Sequence, residues 1–433
     1  MEHELARELN GALGDATPGL MLSAMGRRLY FPKGIIAQGA EAKQSSSLAD
    51  GTLGIAVKHK TPLILSALGN QVPGMKAGEI VSYAPTAGIP ALRETWAAEI
   101  GRKNPSLGKG GFSLPVVTTG LTGGVSALCD LFLDEGQTLM AANPSWDNYV
   151  LIAEARRNAR MRLVDMFNEG GIDLAALGTA LSDEAQKTGF VRIILNFPHN
   201  PTGYSPTVGE AAAICEIIRD IAEKGAKVLV ICDDAYFGLR FEGNIEPQSL
   251  FAYLGNIHEN VFAAKVDGAT KEDFAWGMRC GFVTFAGKNL SAAHYDALIK
   301  KTMAVIRSTI SCSSTVVQNL LQNMYSSEAS LGKERAAYRD IIEGRYKKVR
   351  ALVDAQKNHP HLQPMPFNSG YFMSFKCKNV DAESLRQTLL HRYGVGTIAI
   401  DERTLRVAFS GLDDDCIDAV YAAIYRAAEE LAQ

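Results

Sequence analysis

One pattern in the middle of this chain constrains the fold more than any other. Short runs rich in Val, Ile and Phe end in Gly, Pro, Asn or Asp, and an amphipathic stretch follows before the next run begins. That alternation predicts βα units wound around a mostly parallel sheet, an α/β architecture with helices flanking the strands. The clearest strands are expected over 137–142, 191–197, 227–232, 261–266 and 281–285. Between them, 208–224 carries apolar residues three and four apart, and Gly225 stands where a helix-terminating glycine belongs.

After about residue 315 the character changes. Long helices are expected over 316–356 with an interruption near 326–332. A strand follows at 372–377, then a helix at 382–393, a strand at 405–409 and a closing helix at 413–431. This reads as a smaller α+β domain. The first sixty residues are mixed and Gly-rich and are expected to pack against it rather than to form a domain of their own.

Composition excludes several classes. Hydrophobic residues make up 47% and charged residues 21% of 433 residues, as in an ordinary folded protein. Lys+Arg is 44 against Asp+Glu 47, and no basic stretch points to nucleic acid or to an anionic membrane. The N-terminus lacks the basic region and apolar run of a signal peptide, and no apolar run is long enough to span a bilayer. The seven cysteines are scattered, with no C-x-x-C pair, and His359 and His361 flank Pro360 in what reads as a loop. The expectation is a reduced, cytoplasmic protein with no metal site.

In an open α/β sheet, ligands bind beyond the carboxyl ends of the strands. Those ends carry Asn143-Pro144-Ser145-Trp146, His199-Asn200-Pro201-Thr202-Gly203, Asp233-Asp234-Ala235-Tyr236, and Asp267-Gly268-Ala269-Thr270-Lys271 with Arg279 eight residues later. They deliver an aromatic, an amide, a carboxylate with a phenol, and a lysine with an arginine, the groups needed to hold a flat, anionic, nitrogen-containing ring and react at an aldehyde. Thr118-Thr119-Gly120-Leu121-Thr122-Gly123-Gly124 precedes a helical run, which makes an anion site from backbone N–H groups and the helix dipole. Dinucleotide and P-loop signatures are absent.

Taken in order, these motifs resemble the fold-type I, pyridoxal-phosphate-dependent aminotransferases of class I/II, and the resemblance runs from Tyr83 to Arg406. It implies that Lys271 forms an aldimine with the aldehyde of pyridoxal 5'-phosphate and then moves a proton as base and acid. Asp233 would pair with the pyridine nitrogen, with Asp234 the less critical neighbour. Tyr236 and Asn200 would hydrogen-bond the phenolic oxygen, and Trp146 would stack on the ring. Leu121, Thr122 and Arg279 would hold the phosphate, joined by Tyr83 from the second subunit of a homodimer. Arg406 would clamp the substrate's α-carboxylate, with Asn200 and Trp146 helping to orient the substrate. Arg307 sits near where dicarboxylate-specific members carry a second arginine, although its register and surroundings match poorly. The implied division is a cofactor domain over 61–315, a small domain over 316–433 and a segment 1–60 packing with the latter.

Ordinary readings stand beside these. Lys271 also fits a solvated lysine, Asp233 a helix cap, Asn200-Pro201-Thr202-Gly203 a plain turn, Trp146 a core aromatic, Tyr83 a turn tyrosine, Arg406 a surface-strand arginine and Arg307 a helix-surface salt bridge. One departure from the family stands out: a serine is common three residues before the lysine, and Gly268 occupies that place, so Thr270 or a water would have to supply the contact. The expected reaction moves an amino group from an L-amino acid to a 2-oxo acid. A lyase, decarboxylase or acyltransferase of the same fold, or a regulatory relative that binds the cofactor, are the alternatives. Substrate choice is expected to rest on pocket loops, including 31–39.

Overall fold

The structure is a computed structural model that describes residues 3, 4, 7, 11, 35–52, 56–59, 61–63, 65–66, 74–108, 111–326 and 328–432. Its centre is a seven-stranded sheet of β1 Val116–Thr119, β2 Thr138–Ala142, β3 Arg160–Val164, β4 Phe190–Asn196, β5 Lys227–Asp233, β6 Val261–Asp267 and β7 Cys280–Gly287. The spatial order is β1-β7-β6-β5-β4-β2-β3. Strand β7 alone runs against the others. Strands buried on both faces need continuous apolar runs, and β5 is buried from Val228 to Asp233 and β7 throughout.

Five expected strands are present with ends shifted by one or two residues. Two others carry weak signals. Strand β3, Arg-Met-Arg-Leu-Val, lies at the sheet edge and is half exposed, so its sequence lacks an apolar run. Strand β1 has only four residues, Val-Val-Thr-Thr.

The long helices are α1 Pro90–Lys103, α2 Gly120–Phe132, α3 Leu174–Thr188, α4 Val208–Glu223, α5 Ala292–Thr309, α6 Thr315–Ser326, α7 Glu328–Ala355, α8 Ala382–Tyr393 and α9 Ile417–Leu431. Alternate strand residues choose the layer. Ile194, Leu229, Ile231, Ala264 and Phe285 face α2 through Val125, Leu128 and Cys129. Ile193, Leu195, Val228, Val230 and Ala263 share the opposite core with Leu177 of α3 and Ile214, Ile218 and Ile221 of α4. Helix α4 begins in a reciprocal cap, with Thr207 Oγ1 accepting from the Glu210 N–H at 3.2 Å and Glu210 Oε2 accepting from the Thr207 N–H at 2.8 Å. Most of the stretch 326–332, where the sequence predicts an interruption, is helical: α6 runs to Ser326 and α7 from Glu328, with position 327 outside the described residues.

A second, wholly antiparallel sheet contains β8 Leu362–Pro364, β9 Phe372–Cys377, β10 Ile398–Asp401 and β11 Thr404–Ala408, in the order β8-β9-β11-β10. Helices α8 and α9 pack together beside it. Ala49 and Asp50 pair in parallel with Val395 and Gly396, and the Gln38 side chain bonds both the N–H and the carbonyl of Ala399, at 2.8 and 2.9 Å. One place where the two sheets are joined is a turn at which the N–H groups of Asn368 and Ser369 donate to the Gly203 carbonyl at 2.9 and 2.8 Å. No helix among the described residues is long and apolar enough to cross a membrane.

Candidate active site

Four parallel strands, β2, β4, β5 and β6, release their chains at the same edge of the sheet. Because β7 is antiparallel, it begins at that edge, which brings Arg279 there as well. Thr119, at the end of β1, pairs with Cys280, so the start of α2 is the sixth element to arrive. The result is a cleft of about 280 Å³ lined by Leu121, Thr122, Trp146, Tyr149, Asn196, Asn200, Asp233, Ala235, Tyr236, Thr270, Lys271, Trp276 and Arg279. It gathers Leu121, Thr122, Trp146, Asn200, Asp233, Tyr236, Lys271 and Arg279 from the sequence reading.

Asp233 sits at the buried end of β5. Its Oδ2 accepts the Tyr149 hydroxyl at 2.5 Å, and its Oδ1 accepts the Ala235 N–H at 3.2 Å. Burial raises its pKa to about 6, the nearby Asp234 charge adds to the rise, and the Tyr149 bond opposes it. Lys271 lies above, with Nζ 5.0 Å from the Tyr236 ring centroid. Burial, then the charges of Arg406 and Arg279, lower its pKa to about 7. An amine so placed is substantially neutral at physiological pH, as a nucleophile must be.

Asn200 is held by its turn. Its N–H donates to Asn196 Oδ1 at 2.8 Å, and the Gly203 N–H donates to the His199 carbonyl at 2.7 Å. His199, lowered to about 3 by burial and set against Thr202 Oγ1 at 2.9 Å, remains neutral within the turn. Gly203 has φ 78°, and a β-carbon there would lie 1.8 Å from the Phe372 carbonyl oxygen, so only glycine lets the second sheet dock so closely.

Arg406 reaches the site through Asn200. One terminal nitrogen donates to Asn200 Oδ1 at 3.1 Å and the other to the Thr52 carbonyl at 3.1 Å, while the buried Nε has no hydrogen-bond partner. Its guanidinium lies 4.4 Å from the Phe372 ring centroid, and burial lowers its pKa to about 10. Since only the carbonyl oxygen of Asn200 can accept from arginine, its amide nitrogen is the group left to meet an acceptor.

The start of α2 and Arg279 line one end of the cleft. Thr119, at the start of α2, makes no side-chain capping bond, so the first-turn N–H groups are not consumed by a cap. Arg279 adopts φ 51° and lies so close to Gly120 that a β-carbon there would be 2.6 Å from Nη2. The space a serine would need at 268 is filled: a β-carbon at Gly268 would sit 2.8 Å from the Cys280 carbonyl oxygen and 3.2 Å from the Gly281 Cα. Thr270 lines the cleft, and its Oγ1 is buried without a partner.

Two predicted residues lie apart from this cleft. Tyr83 is 92% exposed, and Arg307 is exposed on the last turn of α5. Sequence reasoning assigned no role to Tyr149, although the segment after β2 pointed toward it, nor to Asn196, Ala235 or Trp276. Asp234 points into a different environment from Asp233. It pairs with the fully buried Lys265 and accepts the Ser249 hydroxyl at 2.6 Å. Burial alone would lower the Lys265 pKa, but Asp234 and Asp267 overcome this and raise it. Of the loop 31–39, residues 31–34 lie outside the described residues, and 35–39 open the helix Ile35–Ser45.

A buried carboxylate, a buried lysine, aromatic side chains and the start of a helix with an arginine beside it thus share one cleft. The family model for aminotransferases of class I and II matches residues 67–424, and the chain belongs to that family, the transaminases that work with pyridoxal phosphate. It is similar to an aspartate aminotransferase of Sulfurisphaera tokodaii, 23% identical over 349 residues that cover 77% of this chain and 79% of that protein. It is also similar to an aspartate/prephenate aminotransferase of Thermus thermophilus, 27% identical over 59% of this chain and 61% of that protein. In three dimensions it matches an aminotransferase from Anaerococcus prevotii, with TM-score 0.82, 19% identity and coverage of 94% of this chain and 99% of that one. The Thermus thermophilus aspartate aminotransferase with maleate matches with TM-score 0.72, 18% identity and the same coverage of 94% and 99%. The mostly parallel fold is thus shared across low identity.

Proposed function

We propose that the protein transfers the amino group of an L-amino acid to a 2-oxo acid with pyridoxal 5'-phosphate held at Lys271. The observation that carries this reading is the Lys271 amine, lowered to about 7, in one cleft with the buried Asp233 carboxylate. The donor set fits the cofactor at each end. Asp233 would hold the ring nitrogen, Asn200 and Tyr236 the phenolic oxygen, Trp146 a ring face, and Leu121, Thr122 and Arg279 the phosphate. When bound, the cofactor supplies an aldehyde that takes up an amino group and a protonated ring that draws electrons from the substrate's Cα–H bond.

The chain's own residues do the rest. Arg406 binds the substrate carboxylate and, through Asn200, ties that anchor to the floor of the cleft. Lys271 Nζ, whose lowered pKa of about 7 leaves a large neutral fraction at neutral pH, accepts the Cα proton and returns it. Asp233 stays charged because Tyr149 and the Ala235 N–H hold its oxygens.

The exposure of Tyr83, Val81 and Ile310 supports a homodimer in which Tyr83 reaches the phosphate of the partner's site. The aspartate specificity named for relatives supports acidic substrates, with Arg307 meeting the distal carboxylate across the same interface. The division into a cofactor domain over 61–315 and a small domain over 316–433 joined by 1–60 belongs to this reading.

The test is a half-reaction screen. Purified protein loaded with pyridoxal phosphate is mixed with single amino acids, and conversion of its absorbance to that of the pyridoxamine form is followed. Stoichiometric 2-oxo acid, and turnover only when an amino acceptor is supplied, is the expected result. Product without acceptor dependence would favour a lyase or decarboxylase instead, and binding without turnover a regulatory relative.

A further inference from the structure

Lys271, Glu272 and Asp273 follow β6 as three consecutive charged residues, and each is gripped by a different element. The Glu272 carboxylate lies 2.6 Å from Lys103 Nζ on α1. Asp273 is fully buried, ion-paired with Arg335 of α7 and bonded by the Tyr325 hydroxyl of α6. Lys271 itself is held from the second sheet: the Tyr371 hydroxyl donates to its backbone carbonyl at 2.8 Å. The Tyr371 ring centroid also lies 5.8 Å from Lys271 Nζ, and the ring packs edge-on against Tyr236, with centroids 5.5 Å apart and planes at 72°.

Tyr371 is well placed to be rigid. It has no exposed surface. The Gly370 N–H before it donates to the Leu239 carbonyl at 2.8 Å. The Asn368 side chain, three residues earlier, bonds both the N–H and the carbonyl of Ser205, at 2.8 and 2.9 Å. A phenylalanine would fill the same space and make the same ring contacts. What phenylalanine would lack is the hydroxyl's bond to the Lys271 peptide.

We propose that Tyr371 is a positioning residue that sets the Lys271 amine over the cleft by holding its peptide from the second sheet. Its phenol links the nucleophile's backbone to the segment that also docks on the Asn200 turn, so the nucleophile and the Asn200–Arg406 pair share one frame. Nucleophilic attack and proton transfer demand reacting atoms within a few tenths of an ångström of their place, and a small misplacement costs rate rather than binding. This inference rests on Lys271 being the residue that carries the cofactor.

The experiment compares wild type with Tyr371→Phe as full chains, freed of cofactor and then given pyridoxal phosphate. Capture is quenched with borohydride at timed intervals, and the pyridoxyl adduct at Lys271 is counted by mass spectrometry. Half-reaction rates and thermal stability are measured alongside. The expected result is capture and half-reaction slower by about tenfold, the scale of one hydrogen bond. Half-saturation by the amino acid should change by less than about twofold, since substrate contacts are untouched. Fluorotyrosine at 371, which keeps a hydroxyl donor, should restore the rate. Capture within about twofold of wild type in Tyr371→Phe overturns the proposal, as does a loss that follows melting temperature and is not restored by fluorotyrosine. Should wild type itself carry no adduct at Lys271, the aminotransferase reading fails first, which separates the two failures.

Discussion

The Tyr149 hydroxyl donates to Asp233 Oδ2 at 2.5 Å and is the side-chain donor that keeps a buried carboxylate charged. Burial has already raised Asp233 to about 6, so little margin remains at neutral pH. Tyr149→Phe removes the opposing bond and lets the carboxyl rise further. Pyridoxal phosphate should dissociate about tenfold more readily at pH 7, with affinity recovering as pH is raised and the carboxyl ionises again. Cofactor release followed by absorbance across pH measures this, and a pH-independent loss would contradict it.

The amine of Lys271 should behave as a base with a pKa near 7 rather than 10.5. Its folded-state pKa is depressed, so the folded protein binds that proton less well than the unfolded chain does. The Lys271 contribution to stability of the cofactor-free protein is therefore a penalty below about 7 that lifts as pH rises toward 10.5. Wild type should gain stability relative to Lys271→Met over that window in denaturant titrations. Arg406→Met removes a neighbouring positive charge and should move the midpoint of aldehyde capture to higher pH.

Glycine at 203 and 268 is required by space. Gly203→Ala would place a β-carbon 1.8 Å from the Phe372 carbonyl oxygen and should cost at least about 2 kcal/mol of stability, measured by chemical denaturation. Gly268→Ser would install the serine that the resemblance leads one to expect at that place. With its β-carbon 2.8 Å from the Cys280 carbonyl oxygen, it should weaken cofactor binding instead of improving it. Tighter binding in Gly268→Ser would show that the loop yields easily.

Adjacent aspartates should fail differently. Asp234→Asn strips the fully buried Lys265 of its nearest partner and should destabilise the fold by roughly 3–5 kcal/mol while leaving the Lys271 adduct detectable. Asp233→Asn should leave the melting temperature nearly intact and abolish turnover. Melting curves paired with borohydride trapping separate the two.

If Tyr83 serves the partner's site, inactive variants should complement. A mixture of Lys271→Ala and Tyr83→Ala proteins, unfolded and refolded together, should regain activity in mixed dimers that hold one intact site. Mixtures no more active than their components would place Tyr83 outside the chemistry.

The sequence alone made much of this readable. Runs such as Val-Leu-Val-Ile-Cys before Asp233 identify strands buried on both faces, and the turn residues after them mark the strand ends where ligands gather. Lys271, Asp233, Asn200 and Arg279 could be named because their motifs are local: each lies within a few residues of a strand whose apolar period is unmistakable. Strand β3 was hidden because an edge strand need not be apolar, and β1 because four residues carry no period.

What the tertiary structure decided is every relationship between distant residues. That Tyr149 meets Asp233 across 84 residues, that Arg406 shares Asn200 across 206, and that Tyr371 grips the Lys271 peptide across 100 depend on strand order and sheet docking. The antiparallel course of β7, which turns Arg279 toward the cleft, is a property of pairing and not of composition. Side-chain periodicity reports which face of an element is buried. It carries no record of which other element covers that face, and the pKa values of Asp233 and Lys271 follow from that cover.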